Sequence, residues 1–259
     1  MFQSLLYEIN NGAATITLNR PEVFNAFNDE MSYELQDALK QSAKDKSVRV
    51  VVITGAGKAF CSGQDLKASA GAGKRSFLDS LHKRYNPIIR AIRNMNKPVI
   101  GKLNGVAAGA GCSLALACDM LIASENVQLI EVFINVGLVP DSGSSWFLPR
   151  LIGPARAFEM CTMGSRISAA QAMQWGIVNR VCKPEELDAE TQKLVDYFSS
   201  APTKSIGMIK KMLNKAATAD LETVLEYEAW CQETAGNSAD HQEGLKSFLE
   251  KRKPEFKGE

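Results

Sequence analysis

Histidine is scarce in this 259-residue chain, and neither sign of charge is in clear excess. It has two histidines, His82 and His241, and no C-x-x-C pair among its six cysteines, so the sequence predicts no metal site. Thirty Lys and Arg residues against 29 Asp and Glu residues leave a formal net charge of +1, which gives no electrostatic footprint for nucleic acid. No apolar run reaches the about 20 residues that cross a bilayer. We therefore expect no metal, no nucleic-acid partner and no membrane partner.

The cysteines and the start of the chain indicate a compartment. The opening MFQSLLYEINNG has neither the basic leader nor the apolar stretch of a signal peptide. Scattered cysteines in a chain of this length are typical of reduced, mostly buried thiols. We therefore expect a cytoplasmic protein. The six cysteines are Cys61, Cys112, Cys118, Cys161, Cys182 and Cys231.

The first 200 residues have the pattern of an α/β fold. Asn11-Gly12 lies between two short apolar runs and predicts a β-hairpin, and residues 28–45 have the apolar spacing of a helix. Another helical segment, interrupted at Pro87, lies between the first two of three apolar runs that predict buried strands. Strands alternating with helices indicate right-handed βαβ units. The three apolar runs are VRVVVITGAG, KPVIGKLNG and MLIASENVQLI.

From about residue 200 the pattern changes to helices alone. Three amphipathic segments follow one another, and the second is predicted to begin at an Asp220 N-cap. They have little core of their own, so we expect them to pack on the α/β body or on another subunit. The sequence therefore predicts two regions, an α/β core over residues 1–200 and a helical region over residues 201–259.

Two glycine-rich segments, residues 57–68 and 104–120, carry the strongest functional signal. Gly109-x-Gly111 is followed by Leu114 where a dinucleotide-binding motif needs Gly or Ala, so we expect no nicotinamide cofactor. One interpretation is that the glycines only permit a tight turn from strand to helix. The other is that main-chain N–H groups from both loops bracket one carbonyl oxygen as an oxyanion hole. Such a hole suits a thioester that becomes an enolate.

These segments resemble the crotonase superfamily (enoyl-CoA hydratase/isomerase). AFCSGQDL, NGVAAGAGCSLALACD and GLVPDSG occur in the family's order and spacing, and the resemblance covers essentially the whole chain. It implies an α/β, crotonase-like spiral of ββα units with a C-terminal α-helical trimerisation region. It also implies an acyl-CoA substrate, no cofactor apart from the coenzyme A of that thioester, and a homotrimer or hexamer.

The resemblance also implies individual site residues. By position, Gln64 and Ala110 are the N–H donors of the oxyanion hole. Asp65 is interpreted mainly as a residue that orders its own loop, and Phe133 and Trp146 either line the acyl pocket or pack in the core. The far wall of that pocket is expected from residues 67–90. The predicted substrate-binding residues are Ala59, Cys61, Gly63, Asp65, Leu66, Gly109, Gly111, Phe133 and Trp146.

Departures from the hydratase pattern are informative. Hydratases of the superfamily have two glutamates where this chain has Ser113 and Phe133. Glu131 is two residues from the second position, but its register argues against the same role. Because hydration needs one group to activate water and another to protonate carbon, efficient hydration is not expected.

Asp141 lies in the apolar run INVGLVPDSGSSWFLP. Pro140-Asp141-Ser142-Gly143 has the composition of a surface β-turn, but some branches of the superfamily place their catalytic acid in this turn. One branch isomerises the ring 1,2-epoxide of phenylacetyl-CoA, and the sequence resembles it most. Another dehalogenates 4-chlorobenzoyl-CoA with the help of a His in the preceding helix. Here Asn86 occupies that place, and His82 is one turn earlier.

The sequence therefore predicts an acyl-CoA isomerase for a 3-enoyl-CoA or the ring-epoxide of phenylacetyl-CoA, with Asp141 as its sole acid/base. Four apolar neighbours are expected to raise the pKa of Asp141 toward the working pH. One alternative is an enoyl-CoA hydratase that uses other carboxylates. The other, of a different class, is a CoA-binding scaffold subunit without turnover. The expected neighbours are Leu138, Val139, Trp146 and Phe147.

Overall fold

A computed structural model describes residues 2–67 and 76–259 of the chain. Within these residues, strands form a six-stranded sheet in the order β1-β2-β3-β5-β7-β10 and a four-stranded sheet in the order β4-β6-β8-β9. The strands are β1 (Leu5–Asn10), β2 (Ala13–Leu18), β3 (Val50–Gly55), β4 (Ala59–Cys61), β5 (Val99–Leu103), β6 (Val106–Ala108), β7 (Met120–Ser124), β8 (Gln128–Ile130), β9 (Arg166–Ser168) and β10 (Arg180–Cys182).

Helices cover the sheets and form the whole C-terminal part. A π-helical turn, Leu81–Tyr85, joins α2 to α3, and Gly153 breaks α5 with a non-helical conformation. The helices are α1 (Asp29–Lys44), α2 (Phe77–Ser80), α3 (Asn86–Asn94), α4 (Ala110–Ala117), α5 (Ser144–Met163), α6 (Ala169–Gln174), α7 (Leu187–Ser200), α8 (Thr203–Ala216), α9 (Leu221–Gly236) and α10 (Ala239–Glu250).

The large sheet confirms the predicted hairpin and parallel strands. β1 and β2 pair antiparallel across Asn11-Gly12, where both residues have positive φ angles of 48° and 80°. β2, β3, β5, β7 and β10 then pair in parallel. All six residues of β3 are buried, as expected for a β-branched strand covered on both faces.

The third predicted strand is two strands in different sheets. MLIASENVQLI forms β7 in the large sheet and β8 in the small sheet, because the exposed Glu125 and Asn126 make a turn between them. β3 with β4 and β5 with β6 divide between the sheets in the same way, and each pair is followed by a helical segment. This repeat is the expected spiral of ββα units.

Pro87 does not interrupt the helical segment, so this prediction is wrong. Helical structure continues from α2 through the π-helical turn into α3, with Pro87 in the first turn of α3. Proline has no N–H to donate to a carbonyl one turn earlier. Instead, the carbonyl oxygens of Lys83 and Arg84 each accept a hydrogen bond of 3.0 Å from the Gln36 side chain of α1.

The C-terminal helices are joined to the body at Asp119. This carboxylate accepts a hydrogen bond of 2.8 Å from the Val99 N–H and forms ion pairs with Arg93 and with Lys210 of α8. Asp220 caps α9 as predicted, by accepting a hydrogen bond from the Thr223 N–H. None of the described helices combines the length and apolar content that crossing a bilayer requires. Apolar side chains of α9 and α10 remain exposed, namely Leu221, Leu225, Trp230, Leu245, Phe248 and Leu249.

Candidate active site

Two loops meet where the neighbouring parallel strands β4 and β6 end. Gly63 follows β4 with a φ of 95°, and a Cβ atom there would lie 2.8 Å from the Ala108 carbonyl oxygen and 3.4 Å from the Ala110 nitrogen. A side chain would therefore push the two main chains apart, and glycine lets them touch. Gly63, the residue before Gln64, therefore lies directly against the Ala110 nitrogen.

Ala110 is the first residue of α4, where N–H groups have no partner within the helix. Gly109 caps this helix with a φ of 52°. Gly111 is packed so tightly that a Cβ atom would lie 2.2 Å from the Cys61 carbonyl oxygen. The N-terminus of α4, which is the positive end of its dipole, is thus fixed against the end of β4.

Gln64 is held by its neighbours on both sides and by its side chain. The Phe27 N–H donates to the Gly63 carbonyl at 2.7 Å, and the Asp65 N–H donates to the Phe27 carbonyl at 2.9 Å. The Gln64 side chain accepts a hydrogen bond from the Tyr85 hydroxyl. Tyr85 was missed in the sequence, although it directly precedes the NPIIR segment. Burial and the nearby Asp141 both raise its pKa.

The Asp141 turn is the second part of the site and begins one residue later than predicted. The Ser144 N–H donates to the Asp141 carbonyl at 3.1 Å, with φ angles of 51° at Ser142 and 91° at Gly143. The Ser142 hydroxyl donates to Asp141 Oδ1 at 2.8 Å. Burial raises the pKa of the half-buried Asp141, and this hydrogen bond partly opposes the shift.

The Asp141 turn is buried by residues of α5, not by the residues that precede it. Val139 is 77% exposed and Leu138 is also exposed, so the prediction that they shield Asp141 is wrong. They extend from the chain that enters the turn, whereas Phe147 packs under it, with its ring 2.7 Å from the place of a Cβ on Gly143. Trp146 is half-buried beside Phe147.

Ser113 connects the two parts of the site. Its hydroxyl oxygen lies 3.2 Å from the Gly109 carbonyl oxygen and 3.1 Å from the Asp141 carbonyl oxygen. Ser113, which occupies the position of a glutamate in the hydratase pattern, therefore contacts the main chain of Asp141. The Ser113 hydroxyl thus bridges the Asp141 turn and Gly109, the N-cap of α4.

Glu131 lies behind this site and was not expected there. It follows β8, is 0% exposed and accepts a hydrogen bond of 2.9 Å from the Ser144 hydroxyl. Burial raises its pKa from 4.5 to about 7, and the Asp141 charge adds to the shift. A carboxyl that is fully buried does not contact a ligand. The position of Glu131 therefore agrees with the prediction that its register excludes the role of the second hydratase glutamate.

Comparison with known proteins identifies the family. The enoyl-CoA hydratase/isomerase family profile matches residues 8–259. The chain belongs to the enoyl-CoA hydratase/isomerase family. It is 42% identical to a 1,2-epoxyphenylacetyl-CoA isomerase of Escherichia coli K12 over 100% of both chains. It is 35% identical to a trans-2-decenoyl-[acyl-carrier-protein] isomerase of Streptococcus mutans over 99% of both.

A solved structure confirms the crotonase fold of this family member. An enoyl-CoA hydratase of Bacillus anthracis superposes with a TM-score of 0.95 at 33% identity, over 99% of this chain and 100% of the other. Hydratase names are also common among the sequence relatives. Membership therefore shows an enzyme family that acts on acyl-CoA substrates and leaves the choice between isomerase and hydratase to the site.

The remaining predicted residues lie on or near these two loops. Asp65 forms an ion pair of 3.0 Å with Arg20, in agreement with a loop-ordering role. The buried Phe133 ring lies 3.9 Å from the place of a Cβ on Gly109. Ala59 and Cys61 are buried in β4, whereas Leu66 is 60% exposed.

The predicted walls of an acyl pocket are described only in part. Trp146 and Phe147 line a cavity of about 550 Å³ that reaches the turn at Ser142 and Gly143. Of the far wall expected from residues 67–90, residues 68–75 lie outside the described part of the chain.

Alternative chemistries find little support in the described residues. His82 is exposed on the π-helical turn, while Asn86 lines the cavity beside Trp146. A dehalogenase-like role for His82 is therefore unsupported. Residues 2–67 and 76–259 contain no group of three His, Cys, Asp or Glu side chains placed to hold a metal ion.

Proposed function

We propose that this family member is an acyl-CoA isomerase in which Asp141 is the acid/base. In this proposal, the N–H groups of Gln64 and Ala110 bind the thioester oxygen. The observation that carries it is the contrast between the two carboxyl groups around Ser113 and Ser144. Glu131 is 0% exposed, whereas Asp141 is half-buried and accessible from one side. Asp141 is therefore the carboxyl of this pair that can contact a bound acyl chain.

The reaction needs one carboxyl group. The Asp141 carboxylate removes a proton from C2 of a 3-enoyl thioester, and the electron pair moves onto the thioester oxygen to give a dienolate. The N–H groups of Gln64 and Ala110 stabilise this oxyanion, with each such donor typically contributing about 10²- to 10³-fold in rate. Asp141 then returns the proton to C4, and the double bond moves from C3–C4 to C2–C3. No cofactor beyond the coenzyme A of the substrate takes part.

The two isomerase relatives support an isomerase, and their names suggest two kinds of acyl group. One is a linear enoyl chain, trans-2-decenoyl on an acyl-carrier protein, and the other is the 1,2-epoxyphenylacetyl group of a coenzyme A thioester. For the epoxide, the same site would assist ring opening with less need for proton transfer. The cavity beside the Asp141 turn combines the aromatic side chains of Trp146 and Phe147 with two arginines and three asparagines, so its lining does not choose between the two acyl groups.

Hydration is the second candidate, since several relatives have hydratase names. It requires a second acid/base in contact with the substrate, and Glu131 is too deeply buried to be one. A non-catalytic scaffold is disfavoured by the raised pKa of Asp141, because perturbed carboxyls cluster at reacting sites. Formation of 3-hydroxyacyl-CoA from crotonyl-CoA would favour the hydratase. Thermal stabilisation by acyl-CoA without any turnover would favour the scaffold.

Asp141→Asn tests the isomerase proposal. We expect the rate of cis-3-hexenoyl-CoA isomerisation to fall by roughly 10²- to 10⁴-fold, the usual contribution of a general acid/base. The asparagine keeps the size and the hydrogen bond of the side chain but does not accept the substrate proton. Asp37→Asn, at an exposed position of α1, is the matched control and should retain the wild-type rate. An Asp141→Asn enzyme with near-wild-type rate contradicts the proposal.

We further propose that the C-terminal helices join copies of this chain into a trimer or a pair of trimers. The exposed apolar side chains of α9 and α10 support this, since large exposed apolar patches are typical of protein interfaces.

A further inference from the structure

A row of buried side chains connects the Asp141 turn to Glu131. The Ser144 hydroxyl lies 2.9 Å from Glu131 Oε1, and the hydroxyl oxygens of Ser144 and Ser113 lie 2.8 Å apart. The Ser113 hydroxyl in turn contacts the carbonyl oxygens of Asp141 and Gly109. Glu131, Ser144 and Ser113 are all 0% exposed. The row therefore runs from a buried carboxyl to the main chain of both halves of the site.

We propose that Glu131 is a positioning residue that acts through Ser144 and Ser113 to hold the Asp141 turn and the Gly109 end of the oxyanion hole. The proposal rests on the isomerase function proposed above, because it assigns Glu131 a role in supporting Asp141. Glu131 itself does not contact the substrate.

The main chain around Glu131 supports this role. The Gly109 N–H donates to the carbonyl of Ile130, the residue before Glu131, at 2.9 Å. The Ser144 N–H closes the Asp141 turn at 3.1 Å, while the hydroxyl of the same serine binds Glu131. Glu131 is thus joined to one half of the site through the main chain and to the other through its side chain.

The protonation state of Glu131 decides in which direction the serine hydroxyl groups donate their hydrogen bonds. Each serine hydroxyl has one proton to donate. An ionised Glu131 only accepts, so Ser144 donates to it and the Ser113 proton is drawn toward the Ser144 oxygen. A neutral Glu131 donates to Ser144, Ser144 donates to Ser113, and Ser113 donates to the carbonyl of Asp141 or Gly109. The neutral form therefore gives a continuous row of donors that ends on the main chain of the site.

Burial and the Asp141 carboxylate favour the neutral form of Glu131, and they outweigh the hydrogen bonds from Ser144 and from the Cys112 thiol of α4, which favour its ionised form. The Cys161 thiol of α5 also faces Glu131. No cation of the described residues is among the groups that shift its pKa, and burial raises that pKa to about 7. Glu131 Oε2 has no hydrogen-bond partner within residues 2–67 and 76–259, so an ionised oxygen there is poorly compensated. The hydrogen bonds of Glu131, Ser144 and Ser113 therefore reverse their direction near neutral pH.

Three variants test the proposal through the pH dependence of kcat on cis-3-hexenoyl-CoA. The wild-type kcat should rise as Asp141 ionises and then fall by roughly three- to tenfold as Glu131 ionises above neutral pH. Glu131→Gln presents an amide donor at every pH, so it should keep kcat and lose this fall. Ser144→Ala breaks the row, so kcat should drop by roughly tenfold with KM within about twofold. Ser145→Ala, at the exposed neighbouring position, should match the wild type.

Hydrogen–deuterium exchange separates this proposal from the isomerase function, because exchange needs no turnover. After correction for intrinsic rates, residues 139–147 of the wild type should exchange faster at pH 8.5 than at pH 6. Glu131→Gln should exchange slowly at both pH values, and Ser144→Ala rapidly at both. A purely structural role would lower the thermal stability of the variants and leave these pH profiles unchanged, and unchanged profiles overturn the proposal. If Asp141→Asn stays active while exchange follows the expected pattern, the proposed acid/base role of Asp141 fails and the positioning role of Glu131 stands.

Discussion

Asp141 and Glu131 show how burial assigns different tasks to two carboxyl groups at the scale of single residues. Desolvation raises the pKa of both, but Asp141 keeps one open side and Glu131 has none. Resemblance to the family gave Gln64, Ala110 and Asp141 from local motifs. It did not give Tyr85 or the buried role of Glu131. Glu131 is 13 residues from Ser144, and a contact at that separation depends on how β8 and α5 pack, which a local motif does not encode.

Glu131→Gln should change how stability depends on pH. The folded-state pKa of Glu131 is about 7 against an ordinary value of 4.5, so the folded protein binds a proton that the unfolded chain releases. This stabilisation is fully present below pH 4.5 and is lost as pH rises through 7, at a cost on the order of 2–3 kcal/mol. Urea unfolding at fixed protein concentration from pH 5 to 8 should show a smaller fall for Glu131→Gln than for the wild type.

A matched control defines the result. Glu159→Gln alters an exposed carboxyl on α5 and should keep the wild-type pH slope. Identical slopes for the wild type and Glu131→Gln would show that Glu131 is not held in its neutral form by the fold.

At the scale of elements, the strands explain why the loops that carry Gln64 and Ala110 lie so close together. β4 and β6 run in parallel, so the chain leaves both strands at the same edge and both loops arrive side by side. Hydrophobic pattern predicted β3 and β5 well because all of β3 and all but one residue of β5 are buried. It merged β7 with β8, since pattern alone does not say to which sheet a short apolar run belongs. The pattern also predicted a break at Pro87, but it did not predict the π-helical turn that directly precedes α3.

Gly111→Ala tests the close approach of α4 to β4. The added Cβ would lie 2.2 Å from the Cys61 carbonyl oxygen, so α4 must shift and carry the Ala110 N–H away from Gln64. We expect a loss of about 1–3 kcal/mol in the free energy of unfolding, together with a larger fall in kcat than in substrate affinity. Thermal melting and steady-state kinetics measure the two effects.

Gly236→Ala is the comparison at this scale. Gly236 ends α9, and a Cβ there would meet nothing within 4 Å, so this variant should equal or slightly exceed the wild-type stability. A Gly111→Ala enzyme that resembles it would mean that the loops do not need to touch.

The apolar surface of the C-terminal helices belongs to the scale of the whole molecule. Phe248 and Leu249 of α10 and Leu221 and Trp230 of α9 are 60% to 79% exposed, although the spacing of each helix predicts a buried face. The sequence left open whether these helices pack on the body or on another subunit. In the chain alone, many of their apolar side chains pack on neither.

Phe248→Asp should weaken assembly of the protein. A charge placed in an apolar contact has to be desolvated, which costs several kcal/mol per subunit, so light scattering after size exclusion should show smaller species than for the wild type. Gln242→Asp introduces the same charge at an exposed polar position of α10 and should leave the molar mass unchanged. A wild-type protein that is monomeric at micromolar concentration would refute the proposed trimer.

The ion pairs at Asp119 determine what can be removed from this chain. Lys210 on α8 and Arg93 on α3 neutralise Asp119 from two sides, and Lys210 is itself almost fully buried. Cutting the chain near residue 200 would leave this carboxylate with half of its countercharge. It would also uncover the surface that α8 protects. The shorter chain would therefore aggregate or be degraded, and a clone that ends there would yield no usable core for crystallisation or ligand screening.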